Sequence, residues 1–402
     1  MRALILTNEF PPSTYGGAGV HVAELTRHLR PLVELDIRTF GSHEVSEDGW
    51  RVRGYPAAHD LAAADERLRP MLAALSRDIS MIADPVAADV VHAHTWYTHL
   101  AGLLARLAYG IPLAVTVHSL EPLRPWKREQ LGGGYDVSSW IERTALQAAD
   151  AVIAVSQETR ADVLRHFSVD PARVQVIHNG IDADFYHPDP GDDALRRYGV
   201  DRRVPYVLFV GRITRQKGIV HLVRAVRHLD PGVGVVLCAG QPDTPEIAAE
   251  MEAGVAAARA DRDNVVWIGE MVSREEARQL YSHAAVFCCP SVYEPFGIIN
   301  LEAAACETPV VASAVGGIPE VVVDGETGLL VPVELRLDDP MSPVDADRFE
   351  RNLAGAINAL MADSATRELM GRAARRRAVE HFSWHAIARQ TADLYRTLVR
   401  TA

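Results

Sequence analysis

The feature that most constrains the fold is a regular alternation of short β-branched runs with stretches of helical length. In the first half of the chain such runs include ALILT, VVHAH and LAVTV, which begin at Ala3, Val90 and Leu113. This order predicts βαβ units on a parallel sheet, and therefore an α/β fold. Because ligands bind beyond the carboxyl ends of parallel strands, we expect the chemistry just after the strands.

The alternation stops once and then restarts, which indicates two domains. The segment 187–199, HPDPGDDALRRYG, is rich in Pro, Asp and Gly, and the next β-branched run, YVLFV, begins at Tyr206. A chain of 402 residues also fits two domains of roughly 150 residues or more. We predict two doubly wound, Rossmann-like domains, 1–187 and 188–384, that face each other across a cleft. The last segment, 385–402, is predicted to be a helix that packs back on the first domain, with a plain terminal helix as the alternative.

Charge and hydropathy exclude several classes of partner. The formal net charge of −12 argues against nonspecific binding to DNA or to an anionic membrane surface. No run approaches the roughly 18 consecutive apolar residues of a membrane span, and the start, MRALILTNEF, is unlike a signal peptide. We expect a cytoplasmic protein with a small-molecule partner and no nucleic-acid or membrane partner; a homodimer is left open.

Glycines near the N-terminus form the motif YGGAGVHV, which begins at Tyr15. Gly17 and Gly19 have G-x-G spacing, and Asp36 follows about 20 residues later, which suggests a nicotinamide cofactor. A dinucleotide fingerprint, however, places its glycines directly in the turn after the strand, whereas EFPPSTY intervenes here. Backbone amides presented to a phosphate at the start of a helix fit the motif better, and simple turn glycines are the alternative.

A basic loop, GRITRQKG, follows YVLFV directly. Arg212 and Lys217 lie five residues apart in it, so both cations can converge on one pyrophosphate leaving group. The chain has only two lysines, Lys127 and Lys217, among its 41 basic residues. A lysine retained in this loop favours a phosphate site over a solvated basic turn, because its ammonium is a compact, flexible point charge.

The most specific motif is CCPSVYEPFGIINLEAAAC, from Cys288 to Cys306. After a buried strand it places Glu294 in a loop and then a helix that opens near Ile298 with unpaired amides. Glu302 lies about two turns into that helix, so the two carboxylates can address two parts of one ligand. The alternatives are a partner of the helix dipole for Glu294 and an exposed helix charge for Glu302.

A histidine and several cations follow the run LAVTV. His118 ends that strand and can hydrogen-bond a sugar hydroxyl or a backbone carbonyl, although a lone histidine is more often structural. Arg124, Lys127 and Arg128 form a local cationic patch in an acidic chain. A solvated loop is the alternative for this patch.

Three further histidines, His92, His94 and His99, could suggest a metal ion. No carboxylate is evidently placed to complete the set, and the four cysteines lack the spacing of a zinc site. We therefore expect no metal ion.

Taken together, these motifs resemble those of the retaining GT-B glycosyltransferases of the glycogen and starch synthase clade. The resemblance covers nearly the whole chain, through YGGAG, DVVHAHTW, VTVHSLEP, GRITRQKG, EPFGIINLE and GGIPEVV in that order. HTWYTHL with HSLEPLRPWKREQLGGGY is most similar to the actinobacterial branch of glycogen synthases and maltose-1-phosphate synthases. The resemblance implies an acceptor-side first domain, a nucleotide-sugar-binding second domain, ADP-glucose as the favoured donor and no cofactor.

The resemblance also implies roles for individual residues. The groups implied for the donor diphosphate are the amides of Gly16 and Gly17 and the side chains of Arg212 and Lys217. Those implied for the rest of the donor are Glu294 with the amides of Gly297 and Ile298 for sugar hydroxyls, Glu302 for the ribose and His118 for the glucose. No pair of carboxylates is evidently placed as in a retaining hydrolase, so the implied mechanism is front-face transfer in which the departing phosphate takes the acceptor proton.

Two departures from starch-type synthases concern the acceptor. Those enzymes carry a lysine just before the Gly-Gly pair, where this chain has Thr14 and Tyr15, and an aspartate where it has Thr95. Both departures weigh against a long-glucan acceptor site. We expect transfer to α-glucose 1-phosphate, giving maltose 1-phosphate with an α-1,4 bond, with Arg124, Lys127 and Thr95 on the acceptor side. Elongation of α-1,4-glucan is left open as a second activity.

Two other functions also remain open. A mannosyl- or N-acetylglucosaminyltransferase acting on inositol or a lipid would share the fold and the motifs. A nicotinamide-dependent oxidoreductase or a nonenzymatic nucleotide-binding protein is the more distant alternative. A screen of sugar-nucleotide donors and a search for bound cofactor distinguish them.

Overall fold

The chain divides into two compact units. The computed structural model describes residues 1–14, 16–58, 61, 63–124, 127–128, 132–339 and 341–401. Unit 1 comprises Met1–Gly180 and Trp384–Ala402, and unit 2 comprises Ile181–Ser383. The first unit thus ends a few residues before the boundary drawn at residue 187, and the chain rejoins it at Trp384.

Strands and helices alternate along unit 1. Its strands are β1 (Arg2–Leu6), β2 (Glu34–Phe40), β3 (Glu44–Glu47), β4 (Trp50–Tyr55), β5 (Val90–His94), β6 (Leu113–Val117), β7 (Ala151–Ala154) and β8 (Val174–Val176). Its helices before residue 180 are α1 (Gly17–Leu29), α2 (Arg69–Ala83), α3 (Trp96–Tyr109), α4 (Gly134–Ala148) and α5 (Gln157–His166). The described residues form one sheet in the order β3-β4-β2-β1-β5-β6-β7-β8, parallel except where β3 pairs with β4.

Unit 2 repeats the pattern with a smaller sheet. Its strands are β9 (Tyr206–Arg212), β10 (Gly234–Gly240), β11 (Val265–Ile268), β12 (Val286–Cys289), β13 (Val310–Ser313) and β14 (Gly328–Val331). Its helices are α6 (Asp193–Tyr198), α7 (Ile219–Ala225), α8 (Pro245–Asp261), α9 (Arg274–His283), α10 (Ile298–Ala305), α11 (Ile318–Val321), α12 (Ala346–Ala362) and α13 (Ser364–His381). The sheet order is β11-β10-β9-β12-β13-β14, and its described pairs are all parallel.

Apolar strands build the core of each sheet. In unit 1, β5, β6 and β7 are buried at every residue, as expected for strands covered on both faces by helices. The last helix, α14 (Trp384–Thr401), packs on α1, and its Ile387, Leu394 and Tyr395 enter the same hydrophobic cluster as β1. The helical conformation is interrupted between α13 and α14, at residues 382 and 383.

Each sheet has one point at which the strand order reverses. In unit 1 this point lies between β1 and β5, because β1 pairs with β2 on its other side. In unit 2 it lies between β9 and β12, because β9 pairs with β10 on its other side. Such switch points open a crevice at the carboxyl ends of the strands, where ligands bind in open α/β sheets.

None of the helices in the described ranges is both long and apolar enough to cross a membrane.

Candidate functional site

In unit 2 the loop after β9 lies against the segment after β12. The Val292 amide donates to the Gln216 carbonyl oxygen at 2.9 Å. Gly218 has φ of +62°, and a Cβ there would lie 2.0 Å from the carbonyl oxygen of Pro290. Only glycine permits this conformation and this approach, which brings Lys217 beside Glu294.

Lys217 and Glu294 form a close ion pair at the switch point. Lys217 Nζ lies 2.6 Å from Glu294 Oε2, and Ser291 Oγ donates to the same oxygen at 3.1 Å. Burial is the largest single effect and lowers the pKa of Lys217, but the opposing effects, led by the Glu294 carboxylate, together raise this pKa above its ordinary value. Lys217 is therefore charged at neutral pH, and its side chain remains 21% exposed, within reach of a ligand.

The backbone of Glu294 is held by a second glycine loop. The Gly317 amide donates to the Glu294 carbonyl oxygen at 3.0 Å. Gly316 has φ of +55°, and a Cβ there would lie 2.0 Å from that same oxygen. Gly297, with φ of +94°, then turns the chain into α10 at Ile298. Unit 2 thus places the Glu294 carboxylate next to the opening turn of a helix, as predicted from EPFGI.

Arg212, at the end of β9, belongs to the same site. Its Nη1 lies 2.9 Å from Asp243 Oδ1, and its side chain is 32% exposed. Its positive charge opposes the protonation of Lys217, so the two cations are close enough to interact. Asp243 was not predicted from the sequence. Its position three residues after β10, at the carboxyl end of a strand, could have identified it.

Glu302 is half-buried on α10 and is held by two tyrosines. Tyr186 OH donates to Oε1 and Tyr281 OH to Oε2, each at 3.0 Å. Burial raises the pKa of Glu302 above its ordinary range. The alternative of an exposed helix charge is therefore wrong. Neither tyrosine was found from the sequence, because Tyr186 and Tyr281 lie far from Glu302 along the chain.

In unit 1 the start of α1 already holds a carboxylate. The Gly16 amide donates to Glu9 Oε2 at 2.7 Å. A Cβ on Gly19 would lie 2.7 Å from the same carboxylate oxygen, so this glycine makes room for Glu9. The Gly16 amide is therefore occupied by the side chain of Glu9, which was not anticipated, and its role at a donor phosphate stays a prediction.

His118 lies within a group of buried aromatic and imidazole rings after β6. His94 Nδ1 lies 3.0 Å from His118 Nε2, and His21 Nδ1 lies 2.6 Å from Asn179 Oδ1. Burial lowers the pKa of His21 to about 4 and that of His94 and His118 well below the ordinary value. These rings are neutral at pH 7, so His118 acts as a hydrogen-bonding group rather than a cation.

The histidines that could hold a metal differ from those considered in the sequence. One nitrogen from each of His21, His94 and His118 lies within 4.8 Å of the other two. His92 is instead occupied, because its nitrogens lie 2.5 Å from Tyr395 OH and 2.7 Å from Thr116 Oγ1. His92 is therefore not available as a ligand together with His94 and His99, a set for which no metal ion was expected.

Arg124 and Lys127 lie beside a buried carboxylate. Lys127 Nζ lies 3.2 Å from Glu121 Oε1, and Arg124 Nη1 lies 4.0 Å from the same oxygen. Ser138 Oγ donates to Glu121 Oε2 at 2.9 Å. Lys127 is 7% exposed, so the alternative of a solvated loop is wrong for this residue. Arg124 is 20% exposed at its side chain and is the more accessible of the two cations.

Burial also changes the protonation of this cluster. Burial and then the Arg124 charge lower the pKa of Lys127 to about 8. Burial and then Glu121 raise the pKa of Glu142 to about 8, and Glu142 Oε2 accepts from the Glu121 amide at 2.9 Å. At pH 7 Lys127 is therefore cationic and Glu142 is neutral.

Thr95 stands after β5 in a strained backbone conformation. Its φ of +64° is unusual for a β-branched residue. Its Oγ1 donates to Asn8 Oδ1 at 2.8 Å, which ties the loops after β5 and β1 together. Strain of this kind costs about 1–3 kcal/mol and concentrates at functional sites.

Comparison with known proteins gives full-length matches. The description Glycosyltransferase Family 4 matches residues 15–185, and Glycosyl transferases group 1 matches residues 192–339. The α-maltose-1-phosphate synthase of Mycolicibacterium smegmatis is 52% identical over 98% of this chain and 99% of that protein. The D-inositol 3-phosphate glycosyltransferase of Kribbella flavida is 32% identical over 96% of this chain and 92% of that protein. The structure of sucrose-phosphate synthase from Thermosynechococcus elongatus aligns over 100% of both chains, with a TM-score of 0.81 and 26% identity.

Proposed function

The chain belongs to the GT-B glycosyltransferases, in the group that includes α-maltose-1-phosphate synthase, and we propose that it transfers glucose from ADP-glucose to α-glucose 1-phosphate. The product is maltose 1-phosphate with an α-1,4 bond, and the donor anomeric configuration is retained. The observation that carries this proposal is 52% identity to such a synthase across both units.

The donor is assigned to the groups at the unit 2 switch point. Arg212 and Lys217 supply two fixed charges for the diphosphate. Glu294 accepts hydrogen bonds from sugar hydroxyls. Glu302, oriented by two tyrosine hydroxyls, accepts from the ribose.

Transfer takes place on one face of the donor sugar. The bond from the anomeric carbon to the diphosphate oxygen breaks while a bond to the acceptor 4-hydroxyl oxygen forms. The departing phosphate oxygen takes the acceptor proton, and Arg212 and Lys217 stabilise its negative charge. Because these cations and backbone amides offset that charge, the proposed reaction needs neither a metal ion nor a cofactor.

The acceptor phosphate is assigned to Arg124 and Lys127. Glu121 lies beside both cations and offsets one of their two charges, so a phosphate dianion would compete with a carboxylate that is already in place. Thr95 stands where starch-type synthases carry an aspartate, and with Thr14 it weighs against a long-glucan site. Glucan elongation would then be a minor second activity.

A second candidate acceptor follows from the relative at 32% identity, which is named for D-inositol 3-phosphate. That acceptor also carries a phosphate, so the same cations could bind it. The lower identity ranks this function behind the first.

Product analysis tests the proposal directly. The protein is incubated with ADP-glucose and either glucose 1-phosphate, inositol 3-phosphate or glycogen, and products are identified by mass spectrometry and phosphorus NMR. We expect a hexose disaccharide phosphate as the main product. Glucan elongation alone, or transfer to inositol phosphate alone, would contradict the assigned acceptor. The assigned donor would be contradicted if the protein transferred sugar from UDP- or GDP-sugars but not from ADP-glucose.

A further inference from the structure

Three imidazole rings converge in unit 1 beside its switch point. One nitrogen from each of His21, His94 and His118 lies within 4.8 Å of the other two. They come from α1, from the last residue of β5 and from the residue after β6. The fold, and not a local sequence motif, therefore assembles the cluster.

His21 has one buried ring nitrogen with an unused lone pair. Its Nδ1 lies 2.6 Å from Asn179 Oδ1, and because an amide oxygen only accepts, the proton of His21 is fixed on Nδ1. Its Nε2 is buried and has no hydrogen-bond partner within the described part of the chain. A buried acceptor without a partner is costly, and in metal sites this same arrangement, with the second nitrogen held by a protein oxygen, orients a ligating histidine.

We propose that His21, His94 and His118 bind one divalent transition-metal ion of the Zn²⁺ type. Three imidazoles with an open fourth position are a known zinc ligand set, with nitrogens about 2.0–2.1 Å from the ion and hence about 3.3 Å from one another. His94 Nδ1 and His118 Nε2 are already 3.0 Å apart. The remaining distances require shifts of up to about 1.5 Å when the ion binds.

Access and protonation are compatible with binding. His118 is half-buried whereas His21 and His94 are buried, so the ion enters from the side of His118. The proton shared between His94 and His118 moves to the second nitrogen of its own ring, which frees both facing lone pairs. No net proton is gained or lost by the cluster.

An ion held there would inhibit transfer. This consequence rests on the proposed function and on the contact with the donor glucose that the family resemblance implies for His118. A ring that ligates a metal cannot make that contact, so the ion acts as an inhibitor and not as part of the reaction.

The binding test uses the full chain, stripped with a chelator and titrated with Co²⁺ as a spectroscopic probe and then with Zn²⁺. We expect one equivalent of Co²⁺ with the visible bands of four-coordinate geometry, displaced by one equivalent of Zn²⁺. His21→Gln and His94→Gln should lose these bands. His99→Gln, at a buried histidine outside the cluster, is the matched control and should keep them; circular dichroism verifies that each variant is folded.

Asn179→Ala keeps all three ligands and covers the case in which a histidine variant does not fold. Loss of such a supporting partner should weaken Co²⁺ binding about 10- to 100-fold. Less than one equivalent bound by the unaltered chain, or unchanged binding in His21→Gln or in Asn179→Ala, would overturn the site.

The activity test separates the two proposals. One equivalent of Zn²⁺ should lower the transfer rate of the unaltered chain, and a chelator should restore it. If the ion binds as expected but transfer is unchanged, the role of His118 at the donor fails while the metal site stands. If Co²⁺ and Zn²⁺ do not bind, the metal site fails whatever the transfer rate.

Discussion

The two lysines of the chain make the same kind of contact and have opposite pKa shifts. In unit 2 Lys217 lies 2.6 Å from Glu294 and its pKa is raised, whereas in unit 1 Lys127 lies 3.2 Å from Glu121 and its pKa is lowered to about 8. Lys127 is less exposed and has a second cation, Arg124, at the same carboxylate. A nearby glutamate alone therefore does not determine whether the pKa of a lysine is raised or lowered.

The difference fits the two proposed roles. A cation that stabilises a leaving diphosphate must stay charged throughout the reaction, and Lys217 does so over the whole neutral range. A cation whose pKa lies near 8 is more sensitive to its surroundings, and Lys127 has a marginal charge that a phosphate dianion would reinforce.

The largest effect is expected at Lys217. Lys217→Ala should lower kcat about 10²- to 10³-fold, because removal of one preorganised charge from the developing anion has effects of this size. Lys217→Arg should recover part of the loss. Arg215→Ala, in the same loop but exposed and paired with Glu250, is the control and should have near-normal kcat. A kcat within about threefold of normal for Lys217→Ala would remove this residue from the mechanism.

Lys127→Ala should act on the acceptor. We expect the KM for glucose 1-phosphate to rise about 10- to 100-fold, as for a lost hydrogen bond to a charged group, with little change in the KM for ADP-glucose. Arg128→Ala, an exposed neighbour paired with Asp136, should leave both constants near normal. Steady-state kinetics with each substrate varied in turn decide the matter, and an effect confined to ADP-glucose is the contrary result.

The pH dependence of acceptor binding should follow Lys127. Below about pH 8 this lysine is charged, and above it the charge is lost, while Glu142 becomes anionic over the same range. Both changes make the net charge around Lys127 less positive. The KM for glucose 1-phosphate should therefore rise severalfold as pH increases through 8, and the KM for ADP-glucose should not. Lys127→Arg, which stays cationic, should flatten this rise. A pH profile identical in the variant would assign the titration to another group.

The smallest expected effect is on stability, at Glu142. Its pKa is raised from 4.5 to about 8 by burial, so the folded state binds more protons than the unfolded state between these pH values. The free energy of unfolding of the unaltered chain should therefore fall as pH rises across this interval. Glu142→Gln removes this titration, and its unfolding free energy should depend less on pH. Urea denaturation at several pH values measures both slopes, and parallel slopes would contradict the prediction.

Much of the fold follows from local pattern. The runs beginning at Ala3, Val90 and Leu113 fall on β1, β5 and β6, because strands buried on both faces need continuous apolar runs. The hairpin formed by β3 and β4 was missed. Every residue of β3 is exposed, so the strand carries no hydrophobic signal; it is held by its pairing with β4 and by an ion pair between Glu47 and Arg30.

The site was only partly predictable, for a different reason. We identified Lys217, Glu294 and Glu302 from the sequence because they follow predicted strands, and in this fold class ligands bind at the ends of the strands. Their partners, such as Tyr186 for Glu302 and Asn179 for His21, lie far away along the chain and share no motif with them. Such pairings depend on tertiary packing, which periodicity does not encode.

The most direct test of the account asks whether Lys127 serves the acceptor phosphate. The value of kcat/KM is measured for glucose 1-phosphate and for glucose, which lacks the phosphate, with the unaltered chain and with Lys127→Ala. We expect kcat/KM of the variant to fall about 10- to 100-fold with glucose 1-phosphate and hardly at all with glucose, so that its preference for the phosphorylated acceptor shrinks by the same factor. An equal loss with both acceptors would show that Lys127 only supports the fold, and would contradict the assignment.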